Sequence, residues 1–333
     1  MKIITSSMVE KYLTTKICLE AVRNAMTAVS REKTHLPIRQ FIPIMGREGK
    51  MALMPGAMND PDCFGIKLVC KYPRAEGSKY GTHVGMVLVF DSKLGIPLAM
   101  IEGASLTAIR TAAASALATD LLANRNCSTL TIMGNGEQAK RHIRAMLAVR
   151  NPSTILIWGR DQDKTKFFAS SMARETNCSV HALRHAEEAV SRADLICTTT
   201  SSSEPILLGA WLKPGTHINL VGAATASSAE ADQEVVKRSR FFVDYRPAAM
   251  AAAGELLRAI EGGAIDKDHI SAEIGEVVQN PNCGRQNDGE ITVYKSLGLA
   301  AQDLAVGHLL YKLSIDQNFG FKVDMMDYAE MSL

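Results

Sequence analysis

Three cations in the N-terminal part of the chain stand where cations are costly. Lys67 interrupts the apolar run Ile66-Lys67-Leu68-Val69, Arg110 interrupts Thr107-Ala108-Ile109-Arg110-Thr111-Ala112-Ala113-Ala114, and Arg39 follows Ile38. A cation flanked by small and apolar residues needs an anionic partner, because a charge taken out of water is expensive unless it is paired. For any single buried cation, an internal Asp or Glu is the commoner partner. Three such cations in one domain fit a bound carboxylate better. Arg grips it through a two-pronged hydrogen bond, and Lys reaches a neighbouring oxygen or nitrogen.

A second stretch with chemical content is Leu130-Thr131-Ile132-Met133-Gly134-Asn135-Gly136-Glu137-Gln138-Ala139. It has the form of an apolar strand, a glycine turn and the first turn of a helix over 137–149. Gly134 permits the tight turn, Gly136 lets backbone approach a pyrophosphate, and Ala139 lets helix and strand pack closely. The helix N-terminus then offers free N–H groups and the positive end of its dipole to phosphates. A lone glycine pattern is weak, but the strand before it, the helix after it and a further strand at 154–158 supply the βαβ context. At the end of that further strand, Gly159 provides no carboxylate for the ribose hydroxyls of NAD. Arg160 and Lys164 provide positive charge suited to a 2′-phosphate, with Asp161 as a competing carboxylate. Thr198-Thr199-Thr200-Ser201-Ser202-Ser203 follows another strand, where its hydroxyls are placed either for a nucleotide or for an ordinary loop. Among the histidines only His181 and His185 have metal-like spacing. They begin in a predicted strand without the accompanying Glu, so they are expected at the surface, and no metal is predicted. His83 and His217 are expected to be structural.

The elements that must position these groups follow from pattern. A chain of 333 residues suggests two domains. Hydrophobic residues make up 47%, the formal net charge is +2, and the mean hydropathy is close to zero. That composition is an ordinary globular one and argues against a nucleic-acid or membrane-surface binder. Seven cysteines without paired spacing point to free thiols in a reducing cytoplasm. The first residues lack a signal-peptide core, and no apolar run is long enough to span a membrane. The periodicity predicts a short strand at 2–5, a helix over about 7–30, and a hairpin within 36–55 whose Pro43 confines it to an edge or bulge. Further strands follow at 64–70, 85–91 and 96–101. A helix over 105–122, N-capped by Ser105, leads into the glycine turn. Alternating strands and helices to residue 244 predict a doubly wound parallel sheet. Within this alternation a helix is expected over 230–238, the polar stretch 279–289 is expected to be mobile, and 299–313 reads as an amphipathic helix that packs back on the first domain.

The chain resembles the ornithine cyclodeaminase/mu-crystallin family over nearly its whole length. The residues that carry the resemblance are Gly65-Ile-Lys-Leu-Val69, Leu106-Thr-Ala-Ile-Arg-Thr-Ala-Ala-Ala-Ser115, Gly134-Asn-Gly-Glu-Gln138, Leu220-Val-Gly-Ala223 and Thr292-Val-Tyr-Lys-Ser-Leu-Gly298. It implies an α/β protein, a Rossmann doubly wound parallel sheet over 119–298 plus a discontinuous α+β substrate-binding and dimerisation domain formed by 1–118 with 299–333. It implies a homodimer in which Arg39, Lys67 and Arg110 hold the substrate carboxylate. Thr82, Arg110, Glu137, Gln138, Arg160, Thr200 and Ser296 match cofactor-contact positions, Gly222 lies in a matching segment, and Leu297 matches a position beside the substrate.

One departure sets the expected chemistry. Cyclodeaminases and related alanine dehydrogenases look like Val-Gly-x-Asp-x-Pro-Gly-Lys-x-Glu where this chain reads Val221-Gly222-Ala223-Ala224-Thr225-Ala226-Ser227-Ser228-Ala229-Glu230. Ala224 stands in place of the proton-relay Asp, and Ser228 in place of the Lys. Cyclodeamination without that relay is poorly supported, whereas reduction of a preformed imine needs carboxylate binding, a positioned C=N carbon and a proton from Lys67 or water. The expectation is therefore a reductase of small α-imino acids. It prefers NADPH with NADH possible, runs in reverse as an amino acid dehydrogenase, and binds neither nucleic acid nor membrane. The substrate is either cyclic, such as pyrroline-2-carboxylate, or a linear imine of pyruvate or oxaloacetate. For a second carboxylate, the sources of charge are Arg39, Arg47 and Arg74. The alternatives are an ornithine or lysine cyclodeaminase and a non-catalytic NADPH-binding protein of the mu-crystallin type.

Overall fold

In the computed structural model, residues 1–74, 78 and 80–324 are described; residues 325–333, the end of the expected 299–333 segment, lie outside them. The chain divides into two compact units: Met1–Ala28, Glu32–Arg110 and Leu299–Leu333 form one, and Val29–Arg31 with Thr111–Gly298 form the other.

The first unit begins with β1 (Lys2–Ile4), α1 (Ser6–Tyr12), α2 (Thr15–Ser30), β2 (Thr34–His35), β3 (Gln40–Pro43), β4 (Lys50–Asn59), β5 (Asp62–Lys71), β6 (His83–Asp91), β7 (Pro97–Glu102) and α3 (Gly103–Leu122). The unit boundary falls inside α3, after Arg110. The expected single helix over 7–30 is two helices. Leu13 closes α1 with non-helical backbone, and the carbonyl of Thr14 accepts from Cys18 N to start the next helix. Ser105 does not cap α3. Glu102 does, its carboxylate accepting from Ala104 N at 2.7 Å and Ser105 N at 2.9 Å, while the Ser105 hydroxyl meets Ser6 Oγ. The hairpin of β3 and β4 forms, and Pro43 lies on a strand that pairs with β4 alone. Strand alternation decides where the first cation points. On β5, Cys63, Gly65 and Lys67 are buried, whereas Phe64, Ile66 and Leu68 face the other side and are partly exposed.

The second unit continues with β8 (Thr129–Met133), α4 (Glu137–Leu147), β9 (Thr154–Trp158), α5 (Gln162–Glu175), β10 (Ser179–Leu183), α6 (Ala186–Ser191), β11 (Leu195–Thr198), β12 (His217–Leu220), α7 (Gln233–Lys237), β13 (Ser239–Val243), α8 (Arg246–Ala252), α9 (Gly254–Glu261), β14 (Ile270–Glu273), α10 (Ile274–Gln279) and β15 (Ile291–Lys295). Its sheet has the order β10-β9-β8-β11-β12-β15-β13-β14, and its pairs are all parallel. That is the doubly wound arrangement expected, with a switch point between β8 and β11. Apolar strand residues such as Met133, Ile196, Ile218, Leu220, Val243 and Val293 form its core. Two local expectations fail. The helix expected over 230–238 shrinks to α7, because Asp232 caps it by accepting from Val235 N at 3.0 Å and Glu230 is drawn into the interior. The stretch 279–289 is tied down: Arg285 donates to the carbonyls of Leu122, Gly215 and Glu290 and to Thr292 Oγ1.

The chain then returns to the first unit as α11 (Ala300–Asp316) and β16 (Phe321–Lys322), which pairs with β1. The unit's sheet has the order β16-β1-β7-β6-β5-β4-β2. Helix α11 packs on β4 to β7 and against α1, and Gln302 reaches Met26 of α2. It is therefore not amphipathic as expected. Every residue from Ala300 through Gly307 is buried, since elements cover both sides of it. Gly65 makes the close approach possible: a Cβ there would lie 2.8 Å from Leu304 Cδ2 and 2.0 Å from the Leu88 carbonyl oxygen.

Candidate active site

In the first unit, β5, α3 and α11 bring three charges together. Lys67 Nζ lies 2.6 Å from Asp303 Oδ2, and Arg110 Nε lies 2.8 Å from Asp303 Oδ1. A second nitrogen of Arg110 donates to Gln302 Oε1 at 3.0 Å. The exposures of Lys67, Arg110 and Asp303 are 3%, 4% and 0%. The sequence reading expected the anionic partner of these cations to be a ligand. The structure supplies an internal one, Asp303, which that reading missed. Even so, two cations share one carboxylate, so the cluster keeps a surplus positive charge that suits a bound anion.

Burial, followed by the charge of Arg110, drives Lys67 down to about 7; Asp303 opposes this, and Arg39 adds a smaller push in the same direction. Burial raises Asp303, but Arg110 and Lys67 outweigh it and hold the carboxylate below its ordinary range. Arg39 is half-buried just before β3, near enough for its charge to reach Lys67. Thr82 is exposed just before β6, with its hydroxyl 3.0 Å from His83 Nδ1. Arg74 is stacked over the rings of Tyr72 and Tyr80 and donates to the Gly81 carbonyl, and Arg47 is exposed in the turn before β4.

In the second unit the glycine turn has the geometry a phosphate site needs. Gly134 takes φ +125°, where a side chain is strained, and a Cβ there would lie 2.7 Å from Thr199 Oγ1. Gly136 is the N-cap of α4 without a side-chain cap, and a Cβ there would meet nothing within 4 Å. Nearby, Gln138 Oε1 is buried with no hydrogen-bond partner among the described residues, as is Ser296 Oγ at the end of β15. Open backbone donors with orphaned polar atoms fit a dinucleotide. Buried His142 supports the turn. Its Nδ1 donates to the Gln138 carbonyl at 2.8 Å, and its Nε2 accepts from Ser115 Oγ at 2.9 Å. Burial pushes His142 down to about 4, so it acts as a neutral strut. Glu137 instead turns outward to Arg141.

The carboxylate of Asp161 is engaged as the N-cap of α5, accepting from Asp163 N at 3.1 Å and Lys164 N at 3.0 Å. Arg160 beside it is exposed, and Lys164 Nζ lies 4.0 Å from Asp161. Thr200, in the loop the sequence leaves open between a nucleotide contact and an ordinary loop, donates both its N–H and its hydroxyl to Glu230 at 2.7 Å. Gly222 N also donates to Glu230, at 2.6 Å. Leu297 is buried, and its N–H, like that of Gly298, donates to Asp244. His181 and His185 are exposed, and His217 is buried against Thr292. Among the described residues no group of three or more His, Cys, Asp or Glu is placed to hold a metal ion.

Residues 1–318 match the model of the ornithine cyclodeaminase/mu-crystallin family. A Delta(1)-pyrroline-2-carboxylate reductase of Bacillus cereus is 34% identical over 307 residues, covering 92% of this chain and 94% of its own. The solved structure of the Thermococcus litoralis Delta(1)-pyrroline-2-carboxylate reductase, in complex with NADH and L-proline, is 32% identical. It superposes with a TM-score of 0.92 over 97% of this chain and all of its own. An archaeal alanine dehydrogenase dimer with bound NAD is 30% identical, with a TM-score of 0.90 over 97% of this chain and 99% of its own.

Asp303→Asn tests the cluster. The substitution leaves two buried cations without their counter-charge, so the protein should lose about 3–5 kcal/mol of stability. Lys67 should then titrate below its present value of about 7, because Asp303 is the group that raises it. NMR of labelled lysine side chains against pH reads this directly, and an unchanged Lys67 titration would show that Asp303 does not set it.

Proposed function

The chain belongs to the ornithine cyclodeaminase/mu-crystallin family, and from that premise we propose that it is an NAD(P)H-dependent reductase of small α-imino acids, reversible as an amino acid dehydrogenase. The observation that carries the reading is the Lys67–Asp303–Arg110 cluster, which combines a surplus positive charge with an ammonium group poised near neutrality. Arg110 and Arg39 hold the substrate carboxylate. Lys67 gives its proton to the imine nitrogen, which makes the carbon a better hydride acceptor. The reduced nicotinamide supplies the hydride itself. The Bacillus and Thermococcus relatives support a cyclic ketimine, pyrroline-2-carboxylate, as the first substrate to try. Cyclodeamination is disfavoured because Ala224 is only an apolar contact to the core of its unit. A purely binding role would not require a lysine held near its titration point.

For the cofactor we propose NADPH over NADH. Asp161 is committed to capping α5, which leaves exposed Arg160, with Lys164, as the charge beside the ribose position. Gly134, Gly136, Gln138, Gly222 and Ser296 form the rest of the nucleotide site, within a dinucleotide-binding domain of residues 119–298. Residues 1–118 with 299–333 form the substrate-binding and dimerisation domain. Its sheet leaves an apolar face open: Phe64, Met86, Val84 and Ile42 are 36%, 38%, 40% and 41% exposed. A second copy of the chain covers this face in our reading, making a homodimer. All seven cysteines are free, which suits a cytoplasmic protein, and no helix among the described residues is long and apolar enough to cross a membrane.

Four measurements test this reading. NADPH oxidation should be found with pyrroline-2-carboxylate, or with imines formed from 2-oxo acids and ammonia or methylamine. Its kcat/KM should fall as pH rises through about 7, where Lys67 loses its proton. Lys67→Ala should lower kcat/KM by about a hundredfold or more and abolish that limb; a limb that survives would make another group the proton source. Arg160→Asp should weaken NADPH by about tenfold to a hundredfold while improving NADH, and a variant worse with both cofactors would remove Arg160 from the site. Phe64→Asp should convert a dimer to a monomer in sedimentation velocity, and a wild-type monomer would refute the interface.

A further inference from the structure

Beneath the carboxyl ends of β11 and β12 lies a second charged cluster, opposite in sign to the first. Glu230 is fully buried, and its two carboxylate oxygens accept four hydrogen bonds. Oε1 takes Thr200 N and Thr200 Oγ1, both at 2.7 Å. Oε2 takes Thr198 Oγ1 and Gly222 N, both at 2.6 Å. Two of these donors are backbone N–H groups and two are the hydroxyls of Thr198 and Thr200. Glu230 N in turn donates to Glu255 Oε1 at 3.0 Å. Glu255 Oε2 pairs with Lys295 Nζ at 2.8 Å, and Lys295 also donates to the Ala223 carbonyl. Glu255 is 1% exposed and Lys295 0%. Counted formally, two carboxylates and one ammonium leave one surplus negative charge among these buried groups.

The place of this charge matters. In the strand order β10-β9-β8-β11-β12-β15, the first three strands form one mononucleotide half of a doubly wound fold and the last three form the other. The glycine turn and Arg160 belong to the half that takes the adenosine. The loops clamped by Glu230, at Thr200 and Gly222, belong to the nicotinamide half. A nicotinamide ring is neutral when reduced and carries a positive charge once its hydride has left.

We propose that the Glu230–Glu255–Lys295 cluster holds its net negative charge for the nicotinamide, stabilising the cationic oxidised ring over the neutral reduced one and so making the bound reduced cofactor a stronger hydride donor. The inference rests on the dinucleotide reading above. The hydride and its electron pair pass to the carbon of the protonated imine, which becomes the amine, and the positive charge moves from the imine to the ring. A site that stabilises that final charge pulls the transfer forward. Glu230 also acts as a positioning residue, because its four hydrogen bonds fix both loops.

The test is the pair of dissociation constants for NADP⁺ and NADPH, measured by fluorescence titration of the full chain. Glu255→Gln removes one charge and keeps an oxygen to accept from Glu230 N. It should weaken NADP⁺ by about tenfold, as expected for one unit charge at short range, and leave NADPH within about twofold. Equal losses for both forms would show a purely structural role, and two unchanged constants would show that the charge does not reach the ring. Either result overturns the proposal. If Glu255→Gln does not fold, the wild type decides: a bound couple with a reduction potential below that of the free couple supports the proposal, and one at or above it refutes it. A wild type that binds neither NADP(H) nor NAD(H) would instead overturn the dinucleotide reading itself.

Discussion

Asp303 lies fully buried between Lys67 and Arg110, 2.6 Å from one and 2.8 Å from the other, and each cation needs it because the other repels. The remainder of the first unit serves this contact. Parity along β5 puts Lys67 on the covered face, Gly65 lets α11 come close, and the chain must return after 193 residues for Asp303 to meet Arg110. A buried ion pair is seldom a source of stability in itself, since taking the charges out of water costs much of what their attraction returns. What this arrangement gives is a dry site with a defined surplus of charge.

The second unit uses the same physics with the sign reversed. Glu230 and Glu255 share Lys295, and the surplus there is negative. Each cluster is built from elements distant in sequence: the first from mid-strand β5 and the helices α3 and α11, the second from the loop before α7, helix α9 and the end of β15. The second cluster spends its acceptors on protein partners, so what it offers a ligand is chiefly the field. The contrast with the glycine turn is instructive. At Gly136 the backbone N–H groups have no side-chain cap and orphaned Gln138 Oε1 is close in sequence, so hydrogen bonds themselves remain to be made. In the proposed function, phosphate is held by contacts, whereas the charge changes of hydride and proton transfer are met by buried surplus charge.

How much of this was legible in the sequence depended on range. The strands of the second unit were readable because a parallel sheet covered on both faces gives uninterrupted apolar runs, and Gly134 marked the turn between the first strand and its helix. The cations Lys67 and Arg110 stood out because charge inside such runs is rare. Their partner did not, since Asp303 sits in Gln302-Asp303-Leu304, an unremarkable helical triplet whose meaning comes only from tertiary contact. Caps were misread for a related reason. Ser105 has the right residue type, but α3 begins at Gly103, so Ser105 lies inside the first turn and its own N–H donates to Glu102. The helix expected from Glu230 failed because its carboxylate found four donors in the interior, outweighing local helical preference. Thr200 lies just beyond the end of β11, where its hydroxyl donates to Glu230.

In the proposed reaction, the absence of a carboxylate at Ala224 places a double demand on Lys67. As an anion holder it must be charged, and as a proton source it must be able to lose that charge near neutral pH. An ordinary lysine meets the first demand and fails the second. A lysine buried beside Arg110 alone would fail the first, because desolvation and repulsion both favour its neutral form. Asp303 raises Lys67 against these two effects, and the net result is about 7. The compromise requires one anion between two cations. A second carboxylate would hold the proton too firmly and cancel the charge that attracts the substrate, and no carboxylate would leave Lys67 with no proton to give.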